Sequence, residues 1–202
     1  MCAQTSAGAT PPRMFPIMLD LSAATIFVVG AGFALPGRLT SLNAHAAARV
    51  HIFVADPSDE ARTLAGDRLI PRWPEEADFA EHRPTLVFIA DVEDTDAKRW
   101  GDLARVHGAL VHVHDRIPLC DFHLPAILRQ GHLQVTVSTD GTAAGLSRLL
   151  RDYLAAKVFG PEWAERVEEI ATARLAWKKE GLGMAKLFEA IADMVKSRGW
   201  LK

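Results

Sequence analysis

The chain has 202 residues, 49% of them apolar and 24% charged, with a formal net charge of −2. That length supports a substantial core in one large domain or two small ones. The balanced charge offers no basic excess for nucleic acid, and no apolar run approaches the roughly 20 residues of a membrane span.

Residues 1–13 are small, polar and Pro-containing, which predicts a disordered tail without the apolar segment of a signal peptide. Cys2 lies in that tail and Cys120 far from it, so free thiols in a reducing cytoplasm are expected rather than a disulfide framework. The run from Thr25 to Val29 is continuous and β-branched, as in a strand buried on both faces. It leads into Gly30-Ala31-Gly32-Phe33-Ala34-Leu35. A helix follows with Leu35, Leu39, Leu42 and Ala46 at helical spacing and Pro36 in its first turn. A second strand, Arg49 to Val54, ends in Ala55-Asp56-Pro57.

Strand, glycine turn, helix, strand and acidic residue follow one another as in a dinucleotide-binding unit. Glycines let a pyrophosphate approach the backbone, and a helix N-terminus offers it unpaired N–H groups. Leu35 stands where the third glycine of the full pattern would be. The turn therefore reads equally as a tight turn or as a nucleotide site.

Residues 57–84 are weakly patterned, with a short strand expected over Arg68–Arg72 and a solvated face carrying Glu75, Glu76, Asp78 and Glu81. Thr85 to Ile89 reads as another buried strand. A helix capped by Asp94 or Thr95 turns Trp100, Leu103 and Ala104 inward and stops at Gly108. Ala109 to Val113 is the next strand, also expected to be buried on both faces. The alternation predicts a parallel sheet covered by helices. Beyond it, Leu133 to Val137 is a further apolar run. Stripes beginning at Leu146, Trp163 and Met184 predict a helical C-terminal part.

The chemistry-bearing stretch is Ala109 to Tyr153. Asp115 follows a strand, where a loop can aim a carboxylate into a crevice; as a favoured turn residue it reads equally as a cap. His112 and His114 fall on one strand face, with His123 and His132 nearby. No third ligand has diagnostic spacing, so no metal is expected. Ser138, Thr139 and Thr142 lack a base partner for nucleophilic catalysis. Arg148 and Arg151 lie three apart on a helix, placed to grip carboxylates.

Several of these stretches carry a resemblance. They are Phe15 to Leu21, Ile26 to Gly32, His112-Val113-His114-Asp115, and Leu124 through Leu133–Thr142 to Arg151. Together they resemble the precorrin-2 dehydrogenase/sirohydrochlorin ferrochelatase family, the N-terminal module of siroheme synthase. The resemblance implies a Rossmann-like domain over residues 14–115, a dimerisation region over 116–145 and a helical domain over 146–202. It implies a homodimer that oxidises precorrin-2 to sirohydrochlorin with NAD, and in some members takes ferrous iron as a second substrate.

On this resemblance Asp115 is the catalytic residue. Gly30, Gly32, Phe33, Ala34, Ala55, Asp56, Ala90 and Asp91 would contact the cofactor. His112, Ser138, Thr139, Gly141, Thr142, Arg148 and Arg151 would contact the tetrapyrrole. Departures from the family's pattern are Leu35-Pro36-Gly37-Arg38 after the glycine turn, Ala90 before Asp91, Ala97, His112, and Ala143-Ala144 after Gly141-Thr142. They fall on the cofactor and substrate sides, so the competing reading is a non-catalytic dimeric homologue that binds a tetrapyrrole or nucleotide.

Overall fold

The computed structural model describes residues 14–31, 33–45, 47 and 49–201. The chain forms two compact units, divided between His123 and Leu124. The expected tail over residues 1–13, Gly32 of the turn and Ala46 of the first helix lie outside the described residues.

The first unit contains β1 (Thr25–Gly30), α1 (Ala34–Ala44), β2 (Arg49–Phe53), α2 (Asp59–Ala65) and β3 (Leu69–Ile70). It continues with α3 (Glu76–His82), β4 (Leu86–Ala90), α4 (Asp94–Val106) and β5 (Leu110–Val113). The strands form one sheet in the order β3-β2-β1-β4-β5, and every pairing is parallel. This is the doubly wound arrangement in which the strand order reverses between β1 and β4.

Alternation sorts the apolar side chains onto two faces. Ile26, Val28, Ile52 and Phe88 pack with Leu35, Leu39 and Leu42 of α1 and with Ala61 and Ala65 of α2. Phe27, Val29, Phe53, Ile89 and Val111 pack on the other face with Phe79 of α3 and Ala97, Trp100 and Ala104 of α4. Burying side chains of this size stabilises the unit by about 1.5–3 kcal/mol apiece.

Several local expectations change. The stretch read as weakly patterned holds two short helices, and its strand is only two residues long. Asp78 does not lie on a solvated face. It is buried, takes both Arg72 Nη1 and Nη2 at 2.7 Å, and accepts the Glu75 N–H at 2.7 Å. The Arg72 hydrogen bond holds its carboxyl below the ordinary range. Neither Asp94 nor Thr95 caps α4: the capping position is Glu93, without a side-chain bond, and Asp94 pairs with Arg116 at 2.6 Å. β5 is the edge strand and is buried on one face only, with Leu110 exposed.

The chain after β5 folds back along that edge. Asp121 accepts the Val111 N–H at 2.9 Å and donates its own N–H to the Val111 carbonyl at 2.7 Å. It also pairs with Arg105 of α4 at 3.1 Å. The Cys120 thiol lies 3.2 Å from both the N–H and the carbonyl of Val113.

The second unit is an antiparallel hairpin, β6 (Ala126–Gln130) and β7 (Leu133–Val137), followed by α5 (Ala144–Lys157), α6 (Trp163–Lys179) and α7 (Met184–Ser197). The three helices match the helical C-terminal part expected from the sequence, whereas of the two strands only β7 was expected. Trp163 is buried and donates its indole N–H to the Val158 carbonyl at 2.9 Å.

Gly30 is paired with Ala90 at the end of the β1–β4 ladder. A Cβ there would fall well inside contact distance of the Ala90 carbonyl, which is backbone and cannot rotate away. Gly30→Ala is expected to destabilise the first unit by about 1–3 kcal/mol, the usual scale of overpacking. A wild-type urea midpoint for this variant would contradict that.

Candidate active site

The carboxyl ends of the parallel strands carry most of the residues assigned to the cofactor. β1 ends at Gly30, and the Ala31 N–H donates to the Ala90 carbonyl at 3.3 Å. Phe33 is almost fully exposed. It occupies the capping position of α1 without a side-chain bond, and the first turn of α1 has no acidic residue. Such a helix end attracts an anion. The anion present is the Asp91 carboxylate, which accepts the Ala34 N–H at 2.5 Å.

Ala55 and Asp56 follow β2 and are exposed. Ala90 is the buried last residue of β4. A helix N-terminus without an acidic residue in its own first turn and an exposed carboxylate beyond β2 fit a nicotinamide dinucleotide. A diphosphate would share or displace the Asp91 contact.

Asp115 follows β5 with a positive φ of 56°, and its side chain is 90% exposed. Its backbone is held on both sides. The His114 N–H donates to the Ile89 carbonyl at 2.8 Å, and the Arg116 N–H to the Val113 carbonyl at 3.3 Å. Arg116 also bonds the Val92 carbonyl at 2.7 Å, tying this loop to the one after β4. The His114 imidazole lies 3.5 Å from the Asp115 carboxylate. Sequence reading missed Arg116, because its partners stand more than twenty residues away in the chain.

His112 points to the α1 face of the sheet, between the rings of Phe88 and Phe122, with centroids 5.9 and 5.6 Å away. Its Nδ1 is buried without a hydrogen-bond partner. Burial, helped by the Arg38 cation, pushes its pKa down to about 4. Among the described residues, no three His, Cys, Asp or Glu side chains are grouped to hold a metal ion.

The residues assigned to the substrate beyond β7 are in the second unit. Ser138 is exposed and accepts the Asp140 N–H at 3.2 Å. The Thr139 hydroxyl is occupied structurally: it accepts the Ala143 N–H at 3.1 Å and lies 3.2 Å from the buried Ser147 hydroxyl. Gly141 turns with a φ of 79°, and Thr142 donates to the Thr139 carbonyl at 2.6 Å. Arg148 is exposed, while Arg151 pairs with its neighbour Asp152 at 2.7 Å.

A family model described as "Putative NAD(P)-binding" matches residues 17–126, more than half of the chain. The chain belongs to this family. It is also similar to siroheme synthases. That of Neisseria meningitidis serogroup B (strain MC58) is 33% identical over 199 residues, 91% of this chain and 40% of that protein. That of Thioalkalivibrio sulfidiphilus is 31% identical over 138 residues, 68% of this chain and 28% of that protein. The chain thus spans well under half the length of these relatives. Among solved structures, "SirC, precorrin-2 dehydrogenase" matches with a TM-score of 0.69 and 16% identity, covering 90% of this chain and 89% of that one. The sequence resemblance and the Rossmann-like fold therefore hold, and a nicotinamide cofactor goes with the family.

The His112 shift has a definite sign. A histidine ordinarily titrates near 6.5. Lowered to about 4 in the folded chain, His112 contributes stability that is complete above 6.5 and lost as pH falls toward 4. The whole shift corresponds to roughly 3–4 kcal/mol. His112→Asn is expected to flatten this part of the stability profile between pH 7 and 4.5, measured by urea denaturation. Parallel profiles for the two proteins would rule out His112 as the cause.

Proposed function

We propose that the chain is an NAD-dependent dehydrogenase that oxidises precorrin-2 to sirohydrochlorin in siroheme biosynthesis. The observation that carries this reading is the exposed Asp115 on an anchored turn beyond β5, at the same sheet end as the N-terminus of α1. The similarity to siroheme synthases over 91% of the chain supports it. Asp56 favours NAD over NADP, since its carboxylate would repel a ribose phosphate.

When bound, the nicotinamide supplies the hydride acceptor. The protein supplies a base. The Asp115 carboxylate is solvent-facing and free to take a proton from a carbon or nitrogen of the macrocycle. Arg116 keeps its loop in place through Val92 and Asp94. Insertion of ferrous iron into the product also requires pyrrole nitrogens to lose protons, so one carboxylate can serve both steps.

One observation favours the non-catalytic reading: the Asp91 carboxylate already occupies the Ala34 N–H. Calorimetry with NAD decides between the two. Binding below millimolar concentration is expected, and none at all would leave the non-catalytic homologue.

We also propose a homodimer. On α5, Leu149 and Tyr153 are exposed at 69% and 60%, and on α7 Met184 and Phe188 at 75% and 74%. Side chains of this kind form interfaces. Light scattering at micromolar concentration should give twice the chain mass; a monomer mass would refute the dimer.

Asp115→Asn keeps the size of the side chain and removes the base. Anaerobic dehydrogenation of precorrin-2 should fall roughly 100-fold or more, with NAD affinity and mass unchanged. Wild-type turnover would exclude Asp115 as the base. If the protein also inserts ferrous iron, that activity should fall in parallel.

A further inference from the structure

Arg38 of α1 projects toward the face of β4 and β5. Its guanidinium lies over the Phe88 ring, 4.9 Å from the centroid. Among the described residues it makes no ion pair, in contrast to Arg72, Arg105 and Arg116, each of which has a carboxylate. Burial lowers its pKa, and no carboxylate offsets this. Its charge acts on His112, which in turn lies near His123, and each of the two imidazoles has a buried Nδ1 lacking a hydrogen-bond partner. Phe122 closes the group, packing edge-on against Phe88 at 5.5 Å.

A half-buried cation without an anion is an unfavourable arrangement for a chain on its own. A guanidinium offers five N–H donors in a planar fork that matches a carboxylate. Two imidazoles with unmet hydrogen-bonding capacity and the rings of Phe88 and Phe122 gather on the same side of the sheet. This cluster lies at β4 and β5, with His112 three residues before Asp115, and not at β2, which Asp56 follows. An anion held there would stand on the Asp115 side of the sheet.

We infer that Arg38, with His112 and His123, binds a peripheral carboxylate of the tetrapyrrole and so orients the macrocycle against Asp115. This inference rests on the proposed dehydrogenase function. It makes Arg38 a substrate-binding residue, distinct from the helix end that attracts the cofactor's phosphates.

Sirohydrochlorin serves as the probe, because its binding can be followed by absorbance without turnover. In Arg38→Met its Kd should rise at least about tenfold, the scale of one lost charge-assisted hydrogen bond. Arg38→Lys should recover part of the loss. Calorimetry with NAD should give the wild-type affinity in both variants, and neither should melt below the wild type. The wild-type protein should also prefer sirohydrochlorin to its methyl ester, a comparison that needs no variant.

Equal binding of acid and ester, or unchanged sirohydrochlorin affinity in a folded Arg38→Met protein, would overturn the inference alone. So would a fall in NAD affinity with sirohydrochlorin binding intact, which would assign the anion to the cofactor. Failure of the wild-type protein to bind sirohydrochlorin at all would overturn both this inference and the dehydrogenase reading.

Discussion

The close approach of β1 and β4 at Gly30 and Ala90 is the constraint on which the first unit depends. The register pairs these two residues at the point where the strand order reverses. Because Gly30 has no side chain, the Ala90 carbonyl reaches the Ala31 N–H. The chain leaving β4 is thereby brought beside the chain entering α1. Asp91 then meets the Ala34 N–H, and the next strand delivers Asp115 to the same end of the sheet. The glycine of the turn thus has a packing reason that would stand even without a ligand. A glycine-rich turn in sequence therefore speaks for this strand crossing before it speaks for a nucleotide.

Much of this architecture was legible in the sequence, for identifiable reasons. β1, β2 and β4 are apolar runs with no charged residue after their first positions, and Leu35, Leu39 and Leu42 keep helical period. Other features left no periodic trace. Asp78 is buried because of an arginine six residues earlier, and a cluster of acids reads as surface whichever member is inside. An apolar run cannot tell a central strand from an edge strand, which is why β5 was read as covered on both faces. β6 ends in Arg129 and Gln130, too polar for its brief apolar start to announce a strand. At the site, Asp115 and Asp56 were visible as acids following strands. Arg38 was not, since a single arginine in a helix looks solvated until the strand beneath it is known.

Asp91 and Asp115 share a further property. Both lie within two residues of the ends of neighbouring strands, and both adopt positive φ, at 53° and 56°. Side chains rarely accept this conformation, and aspartate is among the few that do with little strain. Glycine would satisfy the backbone at either position equally well but would bring no charge. Aspartate satisfies both demands: it reverses the chain at the end of a strand and leaves a carboxylate there. The local turn preference and the placement of chemistry are not rivals at these positions: a capping Asp115 can also be a catalytic one.

The return of residues 116–123 along β5 has a consequence for how copies of this chain can meet. An edge strand with free N–H and carbonyl groups invites another strand to add to the sheet, which leads to fibres and misassembly. Here Asp121 and Cys120 engage the outward groups of Val111 and Val113. The opposite edge, β3, offers only two residues. The β5 border is thus closed to backbone templating. Association through that edge must be built from side-chain recognition, which a single substitution can tune or abolish, rather than from a main-chain pattern that any extended peptide could copy.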